Sequence, residues 1–489
     1  MNPLSFRTMM RGSLIRSQFA SAIALLLLAP CFVACTDSTD PNTPGDERPG
    51  PAPVVLIGLD GLEWDVVLLL LKQGRLPQMQ ALMTRGRYGT LESMLPTSSP
   101  IIWTSIATGQ VADKHGIKSF LDKKTDPDNP RLYNNRDRKT KAIWNILSED
   151  DRTVNVVGWW MTYPTEAIRG VMVAQTNVDP SGEDSQGGQL WKGTLYADVP
   201  GQVYPPSLQK TLLADLGRVD EELPALTRDI FSNIPGAEDG VPGILWQQSR
   251  WSIRADEIYR RVGNDLLRSR PDFDLFAIYI GGSDVLGHRY WRFLNPEHYR
   301  DRPSQADIDL ASNLILDYYV HLDSVIGELV KSCGRDVNVM IVSDHGMGPL
   351  NVNTIYSPTL PVRKLRSGGH PNAPAGVFIA AGPDIASSLD APEISSLQRS
   401  DLKPVGSVLD ITPTLLAMFG IPLGDDMDGR VVREWMTTKA SDRFESSSIP
   451  THSPTGWRKD MIDVEDVDSA ERIKQLHGLG YLDDDDGDK

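Results

Sequence analysis

Short apolar runs recur along the chain, separated by stretches with helical periodicity. The first run, Val54 to Leu59, is continuously apolar. Such a run suits a strand covered on both faces of a parallel sheet. Similar runs stand at Val154 to Val157, Leu275 to Ile280, Val337 to Val342 and Val377 to Ala380. Between them, Arg254 to Leu267 reads as an amphipathic helix. Ile308 to Val330 places Leu314, Tyr318, Leu322, Val325 and Leu329 at helical spacing. Strands alternating with helices predict an α/β fold, a three-layer sandwich around a mostly parallel central sheet. Residues 54–435 are expected to form this domain.

The flanks read differently. Residues 1–34 carry Arg7, Arg11 and Arg16 ahead of an apolar stretch, Phe19 to Pro30, that is short for a membrane span. The stretch ends in Phe32-Val33-Ala34-Cys35, which resembles a bacterial lipoprotein signal with Cys35 as the lipidated residue; an ordinary secretory signal is the alternative. Export is expected, with location in the periplasm or cell envelope and an outer-membrane lipid anchor as the only membrane attachment. Residues 35–53 are rich in Pro, Asp, Thr and Gly and read as a flexible linker. Residues 177–243 are polar and weakly periodic, and read as an insertion: a substrate cap or a solvated loop. Residues 436–489 read as a polar tail closing on Asp483 to Asp486.

Composition narrows the chemistry. A formal net charge of −16 in 489 residues gives no basic field to recruit a nucleic-acid polymer. The three cysteines, Cys31, Cys35 and Cys333, form neither a disulfide framework nor a thiolate metal site. A metal here must be held by His, Asp or Glu.

Four places supply such residues. Asp60 in Gly58-Leu59-Asp60-Gly61 stands where a buried strand stops, and open α/β sheets bind ligands at the carboxyl ends of their strands. Asp344 and His345 in Ser343-Asp344-His345-Gly346 follow another strand. Asp284 and His288 lie just beyond Leu275 to Ile280, spaced to share one helical face. His370 precedes the run at Val377. Taken singly, each fits a helix cap or a hydrogen-bonded core residue. Together they bring carboxylates and imidazoles to one sheet edge, where the carboxylates need cations. Imidazole with carboxylate suits zinc, manganese or iron, and paired ions suit phosphoryl transfer. Ser99 precedes Pro100 and is expected at a helix N-terminus, as nucleophile or as a simple cap.

These blocks, in order, resemble the alkaline phosphatase superfamily and within it the type I phosphodiesterase / nucleotide pyrophosphatase group. The matching segments are Ile57 to Gly61, Ser99-Pro100 through Thr108-Gly109 with Lys114 to Ile117, Asp284 through His288, Ser343 to Gly348, and Phe378 to Pro383 with His370 upstream. The resemblance implies an alkaline-phosphatase-like fold. It implies one divalent metal ion on Asp284, His288 and His370, and a second on Asp60, Asp344, His345 and Ser99. It also implies attack by Ser99 through a phospho-enzyme intermediate. Thr97 is the competing nucleophile. Nucleotide-cleaving members carry Asn three residues after the nucleophile; here that residue is Ile102, which leaves nucleotide specificity open. Without a cysteine near position 99, a formylglycine sulfatase of the cysteine type is excluded.

The function expected is hydrolysis of a small-molecule or lipid phosphate ester. The alternatives are phospho-group transfer to a lipid or glycan acceptor, and a non-catalytic binding lipoprotein. His115 is read as a structural turn contact, Trp159 and Trp160 as core or rim residues, and Asp410 as a helix start.

Overall fold

The computed structural model describes residues 50–122, 131–175, 195, 199–388, 393–444, 447–457 and 459–462. The leader, Cys35, most of the linker, the first part of the insertion and the acidic run at Asp483 lie outside the described residues.

The apolar runs become strands of one nine-stranded sheet. In chain order these are β1 (Val54–Leu59), β2 (Arg87–Glu92), β3 (Val154–Val157), β4 (Gly170–Val173), β5 (Val203–Tyr204), β6 (Leu275–Ile280), β7 (Asn338–Val342), β8 (Gly376–Ala381) and β9 (Pro404–Ser407). Across the sheet they stand in the order β9-β2-β8-β7-β1-β6-β3-β4-β5. The block β7-β1-β6-β3-β4 is parallel throughout. By contrast, β8 runs antiparallel to both β7 and β2, and β5 antiparallel to β4.

The helices that matter for the site are α1 (Trp64–Lys72), α2 (Ser99–Thr108), α3 (Arg250–Ser269), α4 (Gly282–Leu294), α5 (Leu314–Ser332) and α6 (Ile411–Met418). They form two layers because successive strand residues point to opposite faces. Val55, Ile57 and Leu59 of β1 pack with α1, α3, α4 and α5, while Val54 and Leu56 pack with α2 and α6. Phe276 and Ile278 of β6 likewise face the first layer, and Ala277 and Tyr279 the second.

Three expectations need correction. The periodic stretch from Ile308 to Val330 is two helices, Gln305–Ala311 and α5, interrupted at Ser312 and Asn313, both weak helix formers. The described part of the insertion is not a bare loop. It contains a 15-residue helix, Leu216–Ile230, that packs beside α3 and is tied to it by Arg254–Asp220 and Arg261–Glu222. The helix carries Gly217 and Pro224 within it, and further Gly and Pro flank it, which masks its period. The packed body also does not stop at Trp435. Met436, Ala440 and Phe444 are buried in the α2/α6 layer, and Ser448–Ile449 pairs with Leu423–Gly424. A few apolar anchors suffice to hold a polar segment down. At the other end, the Ala52 amide donates to Asp384, so the linker's last residues are fixed to the body.

His115 braces α2. Its Nδ1 accepts from the Ile117 amide at 3.2 Å, so in the neutral ring Nε2 carries the proton and donates to Ser105 Oγ of α2 at 3.1 Å. Burial, followed by the Arg138 charge, pushes its pKa down to about 3. The unfolded chain therefore binds a proton that the folded chain refuses between the ordinary histidine value of 6.5 and about 3. Stability from this site is present above that window and lost as pH falls through it, at up to about 1.4 kcal/mol per pH unit. Urea unfolding of metal-free protein as a function of pH checks this. His115→Gln should reduce the slope across that window by about one proton's worth.

Candidate metal centre

The neighbouring strands β7, β1 and β6 stop at the same edge of the sheet. Asp60 follows β1 directly, Asp344 and His345 follow β7, and Asp284 sits in the first turn of α4 just after β6. His288, one turn further along α4, shares the face of Asp284. His370 arrives from the other direction. Because β8 runs antiparallel to β7, the loop that leads into β8 lies at the edge where β7 exits. Gly61 turns the chain after Asp60 with φ +64°, and a Cβ there would meet Asp284 at about 3 Å.

The side chains converge. His345 Nε2 lies 3.5 Å from Asp60 Oδ1 and 3.3 Å from Asp344 Oδ2. His288 Nε2 lies 3.2 Å from Asp284 Oδ1 and 3.2 Å from His370 Nε2, which is itself 3.8 Å from Asp284 Oδ1. The rings of His345 and His370 stack at 3.7 Å and join the two groups. Asp60, Asp344 and His345 are fully buried, Asp284 and His288 nearly so, and only the His370 side chain keeps 16% exposure.

Surrounding residues aim these groups. Tyr279 of β6 donates its hydroxyl to Asp60 Oδ2 at 2.5 Å, and the Trp103 indole reaches the same oxygen at 3.4 Å. The other oxygen, Oδ1, then faces His345. The Gly61 amide donates to Asp344 Oδ1 at 3.2 Å, which turns Oδ2 toward His345. His288 Nδ1 lies 2.8 Å from the Gly368 carbonyl and His345 Nδ1 2.9 Å from the Gly346 carbonyl. In both rings Nδ1 carries the proton and the Nε2 lone pair points into the cluster, the arrangement that orients metal-bound histidines. Asp256 accepts from the Gly281 and Gly282 amides at 3.0 and 2.7 Å and so fixes the start of α4.

Charge demands a cation here. Burial, then the neighbouring Asp60 and Asp284 carboxylates, pushes the Asp344 pKa well above the usual carboxylate range. Burial also makes His288 and His370 less basic, so neither ring readily supplies a positive charge. Asp344 Oδ2 and His345 Nε2 are buried without a hydrogen-bond partner. Asp60, Asp344 and His345 offer ligand atoms within 4.8 Å of one another, as do Asp284, His345 and His370. Both the geometry and the donor chemistry fit divalent ions of the zinc type.

Ser99 opens α2 on the same side of the sheet. It is buried and lies one turn before Trp103, whose indole reaches Asp60. The cap position is Ser98, and its side chain makes no capping bond. Thr97 has a buried hydroxyl without a hydrogen-bond partner. Ile102 is fully buried in the apolar layer between α2 and the sheet.

Residues 54–383 match the family described as type I phosphodiesterase / nucleotide pyrophosphatase. The chain belongs to that family. All seven positions singled out in the sequence, from Asp60 to His370, fall within the segment shared with the type I phosphodiesterases. Among solved structures, human ectonucleotide pyrophosphatase / phosphodiesterase 5 is similar at 12% identity and TM-score 0.43, covering 78% of this chain and 98% of that one. A mutant of the alkaline phosphatase PafA is similar at 12% identity and TM-score 0.49, covering 80% and 100%. Phosphonoacetate hydrolase from Sinorhizobium meliloti 1021 is similar at 16% identity and TM-score 0.38, covering 61% of this chain. The match spans 57% of that hydrolase. Comparison with curated proteins returns no match.

Tyr279, Trp103 and Asp256 were not singled out from the sequence. Tyr279 is the one hydroxyl-bearing residue in the otherwise apolar run of β6, and that polar tip was the available signal. Asp344→Asn is expected to weaken zinc binding by at least about a hundredfold when metal-free protein is titrated. It should also stabilise the metal-free protein, since one of three crowded carboxylates is neutralised. Full zinc occupancy in the variant would remove Asp344 from the ligand set.

Proposed function

We propose that this protein hydrolyses phosphate esters at a centre of two divalent ions, with Ser99 as the nucleophile. One observation carries this reading: six carboxylate and imidazole side chains converge, buried or nearly so, at one sheet edge of a chain from a phosphodiesterase family. Asp284, His288 and His370 would hold one ion, and Asp60, Asp344, His345 and Ser99 Oγ the other. Zinc suits these ligands best, and manganese and iron share them. Bound ions supply the charge that lowers the serine pKa and stabilises the leaving oxygen.

The protein's own groups do the rest. Tyr279 and Trp103 hold Asp60, and the backbone carbonyls of Gly368 and Gly346 hold the histidine rings. Ser99 loses its proton and bonds to phosphorus as the ester P–O bond breaks and the departing alkoxide takes up a proton. Water then cleaves the phosphoserine and restores the hydroxyl. The motif ending at Cys35 supports export and attachment to the cell envelope through lipid, where small-molecule or lipid esters would be met.

Bis-p-nitrophenyl phosphate and p-nitrophenyl phosphate, assayed side by side on zinc-loaded protein, test the reading. Ser99→Ala should lower kcat/KM by about a thousandfold or more when assayed at saturating zinc. Full activity in Ser99→Ala with loss in Thr97→Ala would move the nucleophile to Thr97.

A further inference from the structure

A phosphoryl group needs hydrogen-bond donors for its non-bridging oxygens, and two places that could provide them do not. The position that carries Asn in nucleotide-cleaving relatives is Ile102, which is sealed in the core. The helix start at Ser99 is also poor in donors. Pro100 has no N–H, and the amides of Ile101 and Ile102 both donate to the Ser98 carbonyl, at 2.9 and 3.0 Å. That leaves the amide of Ser99 in the first turn.

Arg366 stands at the other side of the ligand cluster. Its guanidinium nitrogen lies 3.0 Å from His288 Nδ1 and 3.1 Å from His288 Nε2. The two distances are nearly equal, so this nitrogen lies over the ring face, while Nδ1 meets the Gly368 carbonyl and the Nε2 lone pair is left to the ligand cluster. That same lone pair faces Asp284 and His370. The backbone under Arg366 is rigid. Ser367 is buried, its amide donates to the His288 carbonyl at 2.8 Å, and its carbonyl accepts from the Leu350 amide at 2.7 Å. The side chain is half-buried.

We propose that Arg366, whose guanidinium lies over the His288 ring beside the ligand cluster, binds the non-bridging phosphoryl oxygens of the substrate. A phosphoryl group offers the guanidinium a charge-assisted, two-pronged partner. The inference rests on the phosphate-ester reading and adds to it the residue that holds the phosphoryl group in place of an asparagine.

Two titrations on the full soluble chain test it, with Arg366→Gln and Arg366→Lys as variants. Calorimetry with inorganic phosphate on zinc-loaded protein should show about tenfold or greater weakening in Arg366→Gln, and partial recovery in Arg366→Lys. Zinc titration of metal-free protein should show unchanged binding in Arg366→Gln, because the guanidinium takes no ligand atom from the cluster. Equal phosphate affinity in wild type and Arg366→Gln overturns the proposal. So does a parallel loss of zinc affinity, which would make Arg366 a support for His288 alone. If wild type fails to cleave either nitrophenyl ester, the hydrolase reading falls, while the phosphate titration still decides the role of Arg366.

Discussion

Carboxylates placed a few ångströms apart and shut away from water cannot all stay charged without a compensating cation. Asp60, Asp284 and Asp344 are in that situation, and much of the surrounding architecture makes sense as a response to it. Three adjacent parallel strands deliver them, each at its carboxyl end. Three imidazoles stand among them, and burial disfavours the protonated form of His288 and His370. A group of this composition is uncomfortable when empty and well matched to divalent ions.

The protein spends a second ring of contacts on direction. A carboxylate has two oxygens and an imidazole two nitrogens, and each must present the correct one. Tyr279 takes Asp60 Oδ2, the Gly61 amide takes Asp344 Oδ1, and backbone carbonyls take the Nδ1 protons of His288 and His345. Glu63 extends this outward. It accepts from the Met347 amide at 2.9 Å and pairs with Arg399, so the loop carrying His345 is pinned to the start of α1. The inner residues are thereby fixed before any ligand arrives, which is the condition for a site to act without reorganising.

The sequence exposes the centre of the sheet and hides its margins. The strands β1, β6 and β7 are covered on both faces, so their residues are continuously apolar and easy to recognise. Strand β2, with exposed or half-exposed Arg87, Tyr88, Thr90 and Glu92, carries no such signal, and neither does the short edge strand β9. Strand direction is not encoded locally either, so the reversal of β8 appears only once its partners are known. The ligand-type residues were legible because they sit at strand ends in recognisable blocks. Tyr279 and Arg366 were not, because their roles depend on contacts with residues more than two hundred and about eighty positions away, respectively. The segment after Trp435 is hard to read for a related reason: Met436, Ala440 and Phe444 are too few to mark a helix by period, yet each fills a place in the core.

The reversal of β8 has a further effect on how the centre meets its surroundings. Asp60, Asp344 and His345 stand on the ends of buried parallel strands and are closed off on every side. His370 hangs on an incoming loop, and its ring is the exposed wall. The centre therefore has a closed chamber and a doorway. Under the two-ion proposal, an ion held by His288 and His370 would stand nearer to water than one held by Asp60, Asp344 and His345. The outer position would then exchange with solvent sooner than the inner one.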